Sequence, residues 1–154
     1  MHRMFYNHRM HIVRLLMLLL VAAMPSTAMA QHPQVEASSA WIRIAPPGAM
    51  MLAGYLTLTN NGDVVAELAS VDSDAFGSVE LHRTEIIDGV SRMRAVPSLR
   101  IAPGESVRLE PGGMHLMLMQ PASELGERVP IAFIWRDGSK LTVAFPLQHD
   151  APGE

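Results

Sequence analysis

Turn-forming residues punctuate this chain at short, nearly even intervals, and that spacing restricts it to a fold built from strands. Ala45-Pro46-Pro47-Gly48, Asn61-Gly62-Asp63, Asp88-Gly89, Ala102-Pro103-Gly104-Glu105, Pro111-Gly112-Gly113 and Asp137-Gly138-Ser139 each combine residues that favour tight turns or φ > 0. The segments between them carry no long 3.6-residue period, and several alternate apolar with polar residues. Strands are expected over 35–44, 52–60, 65–71, 79–87, 90–96, 107–109, 114–119, 130–135 and 141–147, with one helical turn within 121–127. Trp41 and Trp135 are assigned to the core and Arg43 to the outside. The pattern predicts a single all-β domain, a sandwich or barrel.

The first thirty residues stand apart. Arg3, Arg9 and Arg14 form a positive start without acidic residues, Leu15 to Ala23 is a short apolar run, and Ala28-Met29-Ala30 fits a small-x-small cleavage site. These are the marks of a cleaved secretory signal peptide over 1–30, leaving an exported domain over 31–154. The apolar run is too short for an ordinary membrane span, and the mature chain is expected to have no stable one. Setting the three leader arginines aside from 12 basic residues leaves 9 against 15 acidic ones, a net charge near −6. Such a balance argues against a nucleic acid partner.

Cysteine is absent. The fold therefore rests on its hydrophobic core, and thiol redox chemistry, thiolate zinc sites and blue-copper electron transfer are excluded. The aspartates of 72–77 do not match a calcium loop. No G-x-S-x-G elbow or HExxH motif is present, so no enzymatic activity is expected.

What remains chemically distinctive is sulfur next to imidazole. In Met114-His115-Leu116-Met117-Leu118-Met119 strand alternation puts His115, Met117 and Met119 on one face and the leucines on the other, the natural core side. Ordinary packing of flexible methionines would read the same way. A second pair follows from Asp88-Gly89. A two-residue turn there places His82 opposite Ala95 and Met93 opposite Thr84, so His82 and Met93 become diagonal neighbours on one face. Glu80 shares that face, while Val79 and Leu81 face the core. Imidazole with thioether favours a soft ion such as Cu(I).

His82, ten residues, Met93, twenty-one residues, then His115-Leu116-Met117 resembles the signature of the periplasmic copper chaperone family PCu(A)C. Val79-Glu80-Leu81-His82, Asp88-Gly89-Val90, Met93-Arg94 and the Pro-Gly-Gly before His115 extend the likeness, as do Trp41-Ile42-Arg43 and Gly54-Tyr55-Leu56. The resemblance implies a cupredoxin-like β-sandwich or barrel that binds one Cu(I) per chain through His82, Met93, His115 and Met117. It also implies delivery of copper for assembly of the binuclear centre of cytochrome c oxidase, with an oxidase subunit or a Sco-type protein as acceptor. The chain departs from the family at Arg83, where many members carry Met, and in a C-terminus without a His/Met-rich tail. Met114 and Met119 are candidate auxiliary sulfurs, with Met119 favoured as packing. Exposed neutral ligands suit a carrier that must release its metal. A secreted β-sandwich serving adhesion or assembly without metal is the alternative.

Overall fold

A computed structural model describes residues 33–151; the expected leader lies outside them. The described residues form ten strands: β1 (Val35–Arg43), β2 (Met51–Asn60), β3 (Ala66–Asp72), β4 (Phe76–Ile87), β5 (Val90–Ala95), β6 (Leu99–Ile101), β7 (Ser106–Leu109), β8 (Met114–Pro121), β9 (Arg128–Trp135) and β10 (Lys140–Gln148). The segment 121–127 holds no helix. Pro121 is the last residue of β8, paired with Phe76, and Ala122 N donates to Ala75 O at 2.9 Å. Those cross-strand ties hold the start of the segment against β4. Residues 99–101, expected only as a lead into a turn, form β6 on the free side of β3.

One sheet contains β5, β4, β8, β2 and β1, with β7 also paired to β2; the other contains β10, β9, β3 and β6. The two are joined where β1 and β10 run parallel, at Ile42↔Leu147 and Arg43↔Gln148. Every other pairing is antiparallel. Leu56, Leu58, Leu116 and Leu118 from the first sheet meet Val129, Ile131, Phe133 and Phe145 from the second, all essentially closed to solvent. Gly54 lies opposite Leu116, where an added Cβ would stand 3.4 Å from the Leu116 Cβ, an ordinary contact distance.

Trp135 belongs to this core, but Trp41 does not. Trp41 and Arg43 are two apart on β1 and so share a face, with Ile42 between them in the core. Trp41 is nonetheless buried. Its ring packs on Tyr55 at 4.7 Å between centroids, and the Arg43 guanidinium lies 5.4 Å above it and 5.8 Å from Tyr55. This is a cation–π cap. Burial raises the Tyr55 pKa above its ordinary value of 10.0, and the Arg43 charge opposes part of that rise. A bulge between Ser38 and Trp41, with Ser39 at φ 52°, resets the register that delivers this group to the outer face.

Candidate metal centre

The β4–β5 hairpin has the register that its turn residues predict. Asp88 and Gly89 take φ of 53° and 74°, the two positive values that a type I′ turn requires. Ile87 pairs with Val90, Thr84 with Met93 and His82 with Ala95. His82 and Met93 are thus diagonal neighbours on one face.

The β4–β8 pairing adds what the hairpin alone cannot. His82 pairs with His115 and Glu80 with Met117, while Val79↔Leu118 and Leu81↔Leu116 point into the core. The two imidazoles therefore lie side by side on the outer face, ring centroids 6.2 Å apart and planes inclined at 49°. Met117 is the next outward residue along β8, and Met93 closes the group from β5. All four residues singled out in the sequence share this face. Met114 and Met119 do not join them equally. Met114 alternates to the opposite face and packs against the core. Met119 shares the face but stands four residues from His115, roughly 13 Å along a strand, with Met51 and Ser78 as cross-strand partners.

Hydrogen bonding fixes the imidazole lone pairs. His115 Nδ1 lies 3.2 Å from the carbonyl oxygen of Gly113. A carbonyl only accepts, so Nδ1 carries the proton and Nε2 keeps its lone pair. The same carbonyl accepts Thr84 N–H at 3.1 Å, which ties the entry of β8 to β4. His82 Nε2 lies 2.9 Å from Glu80 Oε2, so there Nε2 donates. The remaining nitrogen, His82 Nδ1, is buried and has no hydrogen-bond partner. Leaving such a group unsatisfied costs free energy, and a bound ion would satisfy it.

The donor set is soft and neutral. Among the described residues no group of three or more His, Cys, Asp or Glu is gathered as a metal site. Two imidazoles with thioethers suit a soft monovalent ion and poorly suit hard cations. The centre is not uniformly exposed, contrary to expectation. His115 is 7 % exposed and the His82 side chain 15 %, while Met93 is 58 % exposed. Sequence reasoning placed Glu80 on this face without a role and missed the Gly113 carbonyl. In each case the signal was an i, i+2 relation to a histidine on a strand.

The LpqE-like family model matches residues 35–147. The chain belongs to the LpqE-like family. Its relatives include Lxx21020 of Leifsonia xyli subsp. xyli, named as a candidate lipoprotein, 33 % identical over 121 residues that cover 77 % of this chain and 72 % of that one. RP573 of Rickettsia prowazekii is 31 % identical over 101 residues, 64 % of this chain and 56 % of its own length. Among solved structures, this LpqE-like chain superposes on DR1885 of Deinococcus radiodurans in its Cu(I) form with a TM-score of 0.61 and 30 % identity, covering 86 % of this chain and 89 % of that one. The copper-bound PCuAC domain from PmoF2 gives a TM-score of 0.62 at 18 % identity, over 77 % of this chain and 99 % of that domain. The fold is thus the cupredoxin-like sandwich of PCuAC domains, as the resemblance implied.

Proposed function

We propose that this LpqE-like protein is an exported Cu(I) carrier. In this reading residues 1–30 are a leader removed on export to the periplasm, and the mature domain begins at Gln31. His82, Met93, His115 and Met117 bind one Cu(I). The observation that carries the proposal is the cross-strand pair His82↔His115, with a lone pair free on each ring and thioethers on the same face. Likeness to DR1885, whose structure is known in the Cu(I) form, supports it.

Carriage without chemistry follows from the donors. Neutral imidazole and thioether add no negative charge, so Cu(I) is favoured over Cu(II) and Zn(II). Release proceeds by exchange of ligands. An incoming donor of the acceptor meets the exposed Met93 first, and His115, buried in a central strand, is the last to let go. The acceptor proposed is the binuclear copper centre of cytochrome c oxidase, reached directly or through a Sco-type protein. Among the described residues no helix is long and apolar enough to cross a membrane.

Competition against a Cu(I) chelator under reductant, with native mass spectrometry for stoichiometry, tests the binding step. One tightly held Cu(I) per chain is expected, held far more weakly in His115→Ala. Absence of binding in the wild type would end the carrier reading. Mixing two equivalents of the loaded protein with the apo copper domain of the oxidase subunit, followed by a one-electron oxidant such as ferricyanide, tests delivery, read by the colour of the mixed-valence centre.

A further inference from the structure

The two histidines present opposite nitrogens, and one acidic side chain causes the difference. On β4, Glu80 and His82 are two residues apart and extend from the same face. Glu80 Oε2 accepts the His82 Nε2 proton at 2.9 Å. On β8 the corresponding acceptor is the backbone, since Gly113 O takes the His115 Nδ1 proton. A neutral imidazole carries one N–H, so fixing that proton fixes which nitrogen can bind a metal. His82 is left with Nδ1 and His115 with Nε2. The buried, unpartnered state of His82 Nδ1 is independent of that deduction and agrees with it.

We propose that Glu80 is the positioning residue of the centre, holding His82 in its Nε2–H form so that the ion is taken by His82 Nδ1 and His115 Nε2. This rests on the Cu(I)-binding reading above. Carboxylate support of a metal-binding imidazole fixes tautomer and ring orientation and raises ligand basicity. Glu80 is suited to that task by its place. It is the cross-strand partner of Met117, so its backbone is held by the strand pair that also carries three of the four proposed donors, His82, His115 and Met117. Its side chain is half exposed, so replacing it leaves the core intact. The unequal supports also differ in kind. Gly113 O is fixed by the backbone, whereas the Glu80 carboxylate can swing away and leave His82 free to turn.

Long-range 1H–15N correlation spectra of the imidazoles test this, recorded on the mature protein at about pH 8, where an ordinary imidazole is neutral. Before metal is added, His82 should show its proton on Nε2 and His115 on Nδ1. With one equivalent of Cu(I), the His82 Nδ1 and His115 Nε2 resonances should move, and the protonated nitrogens should keep their protons. Glu80→Ala should turn His82 into a mixture of tautomers and weaken Cu(I) binding about 10- to 100-fold. Glu80→Gln, whose amide oxygen accepts the same proton, should retain the tautomer and most of the affinity. A proton on His82 Nδ1 in the wild type, Cu(I) acting on His82 Nε2, or an unchanged tautomer in Glu80→Ala would overturn the proposal while leaving the carrier reading in place. If neither imidazole responds to Cu(I), the carrier reading falls, and the assignment of ligating nitrogens falls with it.

Discussion

The candidate site has two unlike halves. His115 and Met117 stand on β8, which is paired on both sides, to β4 and to β2. Their neighbours Leu116 and Leu118 are anchored in the core. Met93 stands on β5, the outermost strand of its sheet, where every residue is exposed. His82 lies between, on the strand the two halves share. A donor on β8 loses little freedom when it binds, because packing has already fixed its backbone. A donor on β5 has freedom left to lose, so it adds less net affinity and exchanges faster. Tight holding and ready release can thus be divided between strands.

His115→Ala strikes the fixed half and should weaken Cu(I) binding by about 100- to 1,000-fold, on the scale of one ligand's share of the roughly 10–16 kcal/mol with which four-ligand structural Zn2+ sites bind. Chelator competition measures it, and a loss no greater than that of Met93→Leu would remove the distinction between halves. Leu116→Ala attacks the support beneath that half and should cost about 2–5 kcal/mol of stability by urea denaturation. Arg92→Ala on β5 should change the same midpoint by no more than about 0.5 kcal/mol. Met93→Leu should lower affinity only about tenfold, because a ligand on an exposed edge strand gives back part of its binding energy in ordering that strand, and its main effect should be faster loss of Cu(I) in stopped-flow chelator chase. Unchanged release would show that β5 is not the exit side.

The smallest effect concerns the aromatic cap, where Tyr55 stands two residues along β2 from Ala53, the cross-strand partner of Met117. Tyr55 has its pKa raised by burial. Below pH 10.0 both folded and unfolded chains hold the proton, so nothing changes. As pH rises past 10.0 the unfolded chain ionises first, and stability falls until the folded pKa is reached. Tyr55→Phe should lose that part of the alkaline decline, read as the difference in urea midpoint between about pH 9 and 11. An unaltered decline would assign it to other groups.

How much of this was legible in the sequence varies with the range of the interaction. The β4–β5 register was legible because Asp88-Gly89 specifies its own turn and every pair follows by counting. The alternation of His115 and Met117 against the leucines was legible for the same local reason. The pairing of β4 with β8 was not, because residues 33 apart in sequence meet only after the sandwich has closed, and no local signal records which strands become neighbours. Trp41 shows a different failure. Its bulk argued for the core and the charge of Arg43 for the outside, although residues two apart on a strand share a face. The structure buries it, as expected, but apart from the main core cluster, beneath a guanidinium. The segment after Pro121 was short, mixed in composition and without period, so nothing in it supported a helix beyond propensity.

The parallel contact between β1 and β10 has a bearing on how the molecule comes to exist. Ile42 and Leu147 are among the most separated partners in the fold, yet they join the two sheets. Contacts that close long loops are slow to form, since the chain must sacrifice much freedom before any of it is rewarded. No amount of progress in the hairpins completes the sandwich until the C-terminal strand is available. A chain that folds as it is made therefore carries β1 with an open flank until β10 arrives. During that interval β1 can be bound by a chaperone or paired wrongly with another strand.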